Sequence, residues 1–258
     1  MIKYILEVCV DSVESAISAV KGGADRLELC ANLPIGGTTP SLLLFQKIRK
    51  ISPIPMHILI RPRFGDFLYT DYEFEMMKET VSEYRKAGAE GIVIGILKAD
   101  GNLDVKRMKA LIGVAGGMWV TLHRAFDVCA DPLKTLQEAR AIGVNTVLTS
   151  GQKNLCTEGA ELIRELVRQS KGEIEVLVGG GVAAGVITEL APQTGATAFH
   201  MSGKEVVASA MEYRNQDVKM GVADMDEFEH WRTNEINVRQ AKLALMQVES
   251  KRDIQAGN

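Results

Sequence analysis

One local pattern recurs four times along the chain and constrains its fold more than any other feature. A helical stretch ends at a glycine, and an apolar strand begins a few residues later. These glycines are Gly23, Gly88, Gly143 and Gly195. Glycine suits the left-handed backbone position that ends a helix. Successive glycines are 65, 55 and 52 residues apart, and two strand–helix units fill about that length, because one β-α-β crossover takes roughly 30 residues. The spacing therefore predicts one further strand between each pair.

Short apolar segments occur where those further strands are expected. Together with the strands that follow the glycines, they cover residues 3–10, 26–31, 55–62, 91–97, 119–124, 146–151, 173–180 and 198–203. Helices fit between the strands and have recognisable starts. Residues 11–14 and 70–73 predict capping boxes, and 38–41 and 131–133 each place a proline in a first turn. The segment 223–249 predicts a long last helix.

Eight strands that alternate with eight helices are typical of an α/β protein with a (β/α)8 TIM barrel, here with a long C-terminal helix. An open doubly wound sheet is the alternative, but regular units without a dividing linker favour closure. We therefore predict one domain over residues 1–258. Strands one to eight fall in 1–204, and 205–258 form a C-terminal helical segment.

Charge and hydropathy exclude several classes of partner. The formal net charge is -3, which gives no electrostatic reason to expect nucleic acid or an anionic membrane surface. No apolar run approaches the roughly 18 residues that cross a bilayer. The N-terminus lacks the long apolar centre of a secretion signal, so we expect a cytoplasmic protein. The four cysteines form no C-x-x-C pair and are expected to be reduced thiols.

Polar side chains follow most of the predicted strands, and TIM barrels carry their active sites at the carboxyl ends of strands. Alone, each could be a solvated arginine or a structural histidine, but their convergence on one barrel mouth favours function. The catalytic candidates are Glu7, Glu28, His123, Arg124 and Asp127. His123, oriented by Asp127 or a glutamate, would be an acid or base near pH 7. His200 also lies at a strand end, without an assigned role.

A second group of residues predicts a site for an anion or phosphate. Glycine-rich turns let backbone N–H groups approach an anion, and loops after strands seven and eight often form such a site in this fold. The candidates are Arg61, Arg63, Gly180, Gly181, Ser202, Gly203 and Lys204. The glycines could equally mark tight turns. A dinucleotide fingerprint needs an acidic residue about 20 positions further on, and position 204 is lysine, so no nucleotide cofactor is predicted.

The first two strands share the pattern L-E-x-C. Glu7 and Cys9 lie two residues apart and so share one face of strand one, and Glu28 and Cys30 do the same on strand two. Neighbouring strands would place both pairs side by side. Two adjacent thiols suit a soft ion such as Cu(I). The alternative is that the cysteines pack as small hydrophobic side chains.

Several motifs together resemble the CutC family. They are EVCVDSVESAISAVKGGADRLELCANLPIGGTTPS, IRPRFGDFLYTDYE, TLHRAFD, LTSG, GGGV and FHMSGK. The resemblance runs from strand one through Lys204. It implies a cytoplasmic TIM barrel that forms a homo-oligomer, a dimer or tetramer, with a role in copper homeostasis. In the family, copper binding is assigned to two cysteines that match Cys9 and Cys30.

Two functional hypotheses follow, and the residues leave both open. The first is copper homeostasis with Cu(I) bound by Cys9 and Cys30. It does not account for the cations at the mouth, which are Arg61, Arg63, Arg124 and Lys204. The second is an enzyme that acts on a small anionic substrate held by those cations, with phosphorylated compounds among the candidates. A scaffold that functions only through assembly is a third hypothesis, which nothing in the sequence requires.

Overall fold

The computed structural model describes residues 4–215, 217–218, 220 and 226–256. Eight parallel strands form a closed barrel in which each strand pairs with the next and the eighth pairs with the first. The strands are β1 (Ile5–Val10), β2 (Arg26–Leu29), β3 (Met56–Leu59), β4 (Gly91–Ile94), β5 (Trp119–Leu122), β6 (Thr146–Thr149), β7 (Glu175–Val178) and β8 (Ala198–Met201). The predicted TIM barrel is confirmed, and the open sheet is excluded by the β1–β8 pairing.

Helices alternate with the strands and bury their apolar sides against the barrel. They are α1 (Val13–Gly22), α2 (Leu42–Arg49), α3 (Asp71–Ala87), α4 (Val105–Ala115), α5 (Pro132–Ala141), α6 (Ala160–Ser170), α7 (Ala184–Thr194) and α8 (Glu235–Ala256). Short 3-10 turns follow β2 and β5, at Leu33–Ile35 and Arg124–Val128. Among the helices described, none is both long and apolar enough to span a membrane.

The helix-ending glycines adopt the backbone conformation that the pattern predicts. Gly23, Gly88, Gly143 and Gly195 have φ angles of 94°, 85°, 90° and 78°. The capping box at Thr70 and Glu73 is present, and Pro132 opens α5. Two predicted helix starts are wrong by one residue or two. Ser12, not Asp11, caps α1, and Pro40 precedes the Ser41 cap of α2.

The C-terminal segment differs from the prediction. Residues 205–258 are not helical throughout, because β9 (Lys204–Ala208) pairs antiparallel with β10 (Glu229–Thr233). The last helix therefore begins at Glu235, later than the predicted residue 223; residues 223–225 lie outside the described part of the chain. Cross-strand packing stabilises the pair, since the Lys204 ammonium lies 3.1 Å from the centre of the Trp231 ring. Helix α8 then packs against α1 and α7.

Candidate functional site

The carboxyl ends of the barrel strands surround a cavity of about 150 Å³. Its lining includes six of the predicted site residues and one residue that had no assigned role, His200. The thirteen lining residues are Cys9, Glu28, Cys30, Leu33, Gly36, Gly37, Leu59, Arg61, Phe67, His123, Arg124, Leu148 and His200. We call this cavity the mouth pocket. Most of its lining residues come from the ends of β1, β2 and β8 on one side and from the ends of β3 and β5 on the other.

Strand register brings together, at one edge of the mouth pocket, three side chains of types that can bind a metal ion. Cys9 on β1 lies opposite Glu28 on β2, and Glu7 lies opposite His200 on β8. One ligand atom each from Cys9, Glu28 and His200 lie within 4.8 Å of one another. A thiol, a carboxylate and an imidazole at this separation can share one metal ion. We call these three residues the donor cluster.

Glu7 lies beneath the donor cluster and orients it. The Glu7 carboxylate is fully buried, accepts a hydrogen bond from Arg26 Nε at 2.5 Å and lies 2.7 Å from His200 Nδ1. Burial opposes ionisation of Glu7, but Arg26 and His200 together hold its pKa well below the usual range. A second Arg26 nitrogen donates to Glu175 at 2.8 Å. Glu7 is therefore a charged anchor for His200 and does not line the pocket.

Glu28 and His200 face each other in the donor cluster, and the pKa of each is raised. His200 Nε2 lies 3.6 Å from Glu28 Oε2. Burial raises the pKa of Glu28 to about 7, although His200 opposes that shift. Burial favours the neutral imidazole, but Cys9 and Glu28 raise the pKa of His200 well above its ordinary value. Both shifts favour the protonated form of the group.

Cys30 lines the same pocket but lies outside the donor cluster. Its thiol is fully buried, donates to the Val10 carbonyl at 3.4 Å and packs with Cys9 and Leu59. Burial raises the pKa of Cys30 well above that of a free thiol. The expected side-by-side pairing of two L-E-x-C faces is altered by the register, which sets Cys9 beside Glu28.

Arg61 and His123 form the opposite wall of the mouth pocket, and both contact Phe67. The Arg61 guanidinium carbon lies 5.2 Å from the centre of the Phe67 ring, and the His123 ring centre lies 4.8 Å from it. His123 Nδ1 accepts a hydrogen bond from the Ala125 N–H at 3.1 Å. Burial, with Arg61 contributing, lowers the pKa of His123 to about 3. His123 is therefore neutral and carries its proton on Nε2.

Asp127 does not contact His123, contrary to the expectation that it orients that ring. Its carboxylate accepts hydrogen bonds from Thr149 Oγ1, from the N–H and Oγ of Ser150 and from the Gln152 N–H. Arg124 Nε also donates to it at 2.7 Å, and a second Arg124 nitrogen donates to Ser150 Oγ at 2.8 Å. These residues form a loop network that joins β5 to β6.

Arg63 lies outside the mouth pocket, although it was predicted to bind an anion. Its Nε donates to Glu73 at 2.7 Å, and one terminal nitrogen donates to Asp66 at 2.9 Å. That nitrogen also donates to the Leu68 carbonyl at 2.9 Å. The guanidinium thus holds the loop before α3, and its charge is already balanced by two carboxylates.

The residues of the predicted anion site after β7 and β8 do not line the mouth pocket. The Gly180 carbonyl accepts from the Cys156 N–H, and the neighbouring Gly181 is exposed. The Ser202 carbonyl accepts from Thr233 Oγ1, and the Gly203 carbonyl accepts from the Asn234 N–H. Lys204 is engaged with Trp231, as described above. Ser202 and Gly203 thus connect the end of β8 to the residues at the end of β10 and the start of α8.

No role for His200 was predicted from the sequence, and Arg26 was not identified as a site residue. His200 was visible as a polar residue at a strand end, but its importance depends on the β1–β8 register. Arg26 stands at the amino end of β2, where a search of carboxyl strand ends does not look. A buried arginine inside a barrel strand, near a glutamate on the neighbouring strand, is the signal that would have found it.

Comparison with known proteins is consistent with this architecture. A sequence profile of the CutC family matches residues 4–205. The chain is 43% identical to the family protein CutC of Vibrio cholerae, covering 88% of this chain and 90% of that protein. It is also 43% identical to the copper homeostasis protein cutC homolog of Homo sapiens, covering 85% of this chain and 81% of that protein.

A solved structure agrees as well. The crystal structure of CutC from Streptococcus agalactiae superposes with a TM-score of 0.74 at 30% identity, covering 77% of this chain and 98% of that one. The profile match spans most of the chain and includes all eight barrel strands. The protein therefore belongs to the CutC family.

Proposed function

We propose that the protein takes part in copper homeostasis by binding copper at the barrel mouth, with Cys9 and His200 as the principal ligands. The observation that carries this proposal is the donor cluster, in which atoms of Cys9, Glu28 and His200 lie within 4.8 Å of one another. The copper homeostasis protein cutC homolog of Homo sapiens is 43% identical to this chain. The family relationship supports copper as the metal, and the cluster supports where it binds.

The chemistry of the donors suits this cargo. Thiolates and imidazoles are ligands for Cu(I), and a carboxylate is the least suited of the three. We therefore propose that Cys9 and His200 bind the ion. Glu28 would instead take up or release a proton when the ion binds. A metal-binding histidine usually donates its other ring N–H to a carboxylate, which fixes the ring and its tautomer. Glu7, 2.7 Å from His200 Nδ1, is suited to that role.

Cys30 is the second thiol of the mouth pocket, and we propose that it supplies a further sulfur ligand. It packs beside Cys9, which supports participation. Its buried thiol must lose a proton before it can bind metal, and burial opposes that loss. We therefore expect Cys30 to contribute less to the affinity than Cys9.

An anaerobic competition titration of Cu(I) against a chromogenic chelator tests this proposal. We expect stoichiometric binding by the wild type, loss of at least about tenfold in affinity in Cys9→Ser and His200→Gln, and a smaller loss in Cys30→Ser. Cys129→Ser, which alters a buried thiol outside the mouth pocket, is the matched control. Affinity that is unchanged in Cys9→Ser would contradict the proposal.

We also propose a cytoplasmic location and a homo-oligomeric state. All four cysteines are free, which is typical of proteins kept in a reducing compartment. Several large apolar side chains are exposed on and after β9, which supports a contact between copies. These are Val206, Met211, Tyr213, Val218 and Met220. Cell fractionation tests the location, and light scattering in solution tests whether the particle mass is that of a dimer or tetramer.

A further inference from the structure

Arg61 is a buried cation with no anionic partner among the residues that the structure describes. It is 7% exposed and donates to the carbonyls of Gly36, Gly37 and Gly65 at 2.8–3.1 Å, and the uncharged Tyr69 hydroxyl also lies beside it. Carbonyl oxygens satisfy donors but bring no net charge. Burying an unpaired charge is costly, so such a group normally faces a counter-ion. Its Nε is buried and has no hydrogen-bond partner within the described chain.

His123 presents a second buried donor at the same pocket. It is 4% exposed, and its Nδ1 is occupied as an acceptor by the Ala125 N–H. The ring proton therefore resides on Nε2, which has no acceptor among the described residues. A buried N–H without an acceptor costs about 1–3 kcal/mol. Two such donors on one wall, both against Phe67, point to a ligand that accepts from both.

The loop after β2 fixes the orientation of the Arg61 guanidinium. Gly36 and Gly37 have φ angles of 86° and 81°, a conformation that favours glycine. Their carbonyls hold the terminal nitrogen Nη1, and the Gly65 carbonyl holds Nη2. These three bonds leave the Nε N–H and the second N–H of Nη2 for a ligand. The Nε donor is therefore positioned before any ligand arrives.

We propose that the mouth pocket binds a small carboxylate, held by Arg61 Nε and His123 Nε2 on the wall opposite the donor cluster. One buried positive charge balances a monoanion, and two N–H donors match the two oxygens of a carboxylate. The cavity of about 150 Å³ accommodates a ligand of only a few heavy atoms. Other predicted anion binders lie elsewhere, since Arg63 is already paired with Glu73 and Asp66.

The carboxylate site does not depend on copper binding, and the test is done on metal-free protein so that the two proposals can fail separately. Acetate and inorganic phosphate are titrated at neutral pH while the ring nitrogens of ¹⁵N-labelled His123 are followed by NMR. We expect saturable acetate binding that moves the Nε2 signal, with phosphate binding more weakly. Phosphate that binds more tightly than acetate would overturn the carboxylate assignment.

Matched variants complete the test, with acetate affinity measured by calorimetry. We expect His123→Leu and Arg61→Lys each to weaken acetate binding by about tenfold, because each removes one hydrogen bond to a charged group. Arg63→Gln, whose guanidinium lies outside the pocket, should stay within about twofold of the wild type. Arg61→Lys keeps the charge but not the Nε donor; should it fail to fold, His123→Leu decides alone. Absence of saturable acetate binding, or an affinity unchanged in His123→Leu, would overturn the proposal.

Discussion

Two sides of the barrel mouth carry similar residues and use them differently. On the β5–β6 side, the Asp127 carboxylate accepts hydrogen bonds from three residues of the β6 end and from Arg124. That loop network is closed on itself. On the β1–β2–β8 side, Cys9, Glu28 and His200 line a cavity and bring one ligand atom each within 4.8 Å of one another. Polar side chains at strand ends therefore indicate a binding site only where several of them converge on a cavity instead of bonding within a loop.

The same distinction separates the two arginines after β3. Arg63 is balanced by Glu73 and Asp66 and holds a loop. Arg61, two residues earlier, has carbonyl partners and an unpaired Nε in the mouth pocket. In sequence both are cations at a strand end. The two differ in their hydrogen-bond and ion-pair partners, which distinguish a structural arginine from one that can bind a ligand.

The largest effect should come from breaking the loop network. Asp127→Ala removes the acceptor of several buried donors, so we expect the free energy of unfolding to fall by about 2–4 kcal/mol. Metal affinity should be unchanged, because Asp127 is not part of the donor cluster. Urea unfolding measures the first quantity and Cu(I) competition the second. A stable variant that no longer binds copper would reverse the roles we assign to the two sides.

A smaller effect, on metal affinity, is expected when the residue that orients His200 is changed. Glu7→Gln weakens the hold on His200 without removing a ligand, and loss of such an outer partner typically costs about 10–100-fold in metal affinity. Glu175→Gln is the matched control, since Glu175 contacts Arg26 but forms no ion pair with His200 among the described residues. Equal losses in the two variants would show that Glu7 acts only through the stability of the barrel.

The pH dependence of stability should report the buried state of His123. Burial, with Arg61, lowers its pKa from 6.5 to about 3 in the folded protein. The unfolded chain then binds the extra proton, so stability falls as pH drops from about 6.5 toward 3, by up to about 1.4 kcal/mol per pH unit. Urea unfolding at a series of pH values should give a shallower slope for His123→Gln.

The control for that measurement is His230→Gln, at an exposed position of β10. His57 is also buried, and burial lowers its pKa to about 4, so the wild-type slope contains both histidines. The difference between wild type and His123→Gln isolates one of them. A pH slope that is the same in the two proteins would mean that His123 is not held neutral by the fold.

The barrel could be predicted because its signals are local and repeated. Helix-ending glycines at regular spacing and short apolar strands specify β-α units, and the number of units leads to closure. The segment after β8 was mistaken for continuous helix because β9 and β10 pair across some twenty residues. Such pairing leaves a weak trace in either strand alone. The last helix begins at Glu235, directly after Asn234, whose Oδ1 accepts from the N–H groups of Ile236 and Asn237.

The candidate site was only partly predictable, because it depends on register and on hydrogen-bond partners. Cys9, Glu28, Arg61 and His123 were identified from their places at strand ends, and all line the mouth pocket. His200 gains its role from lying opposite Glu7 across the β1–β8 pairing. Asp127 and Arg124 were both predicted to be catalytic from their positions after β5. In the structure, however, the Asp127 carboxylate accepts hydrogen bonds within the loop network. Neither fact can be read from one strand.

X-ray absorption spectroscopy of the Cu(I)-loaded protein tests the proposed copper site most directly, because it identifies the atoms bound to the metal. We expect sulfur and imidazole nitrogen in the first coordination shell of the wild type. The imidazole signal should disappear in His200→Gln, and the sulfur signal should fall in Cys9→Ser. Copper bound without sulfur, or a spectrum unchanged in both variants, would contradict the assignment of the donor cluster as the copper site.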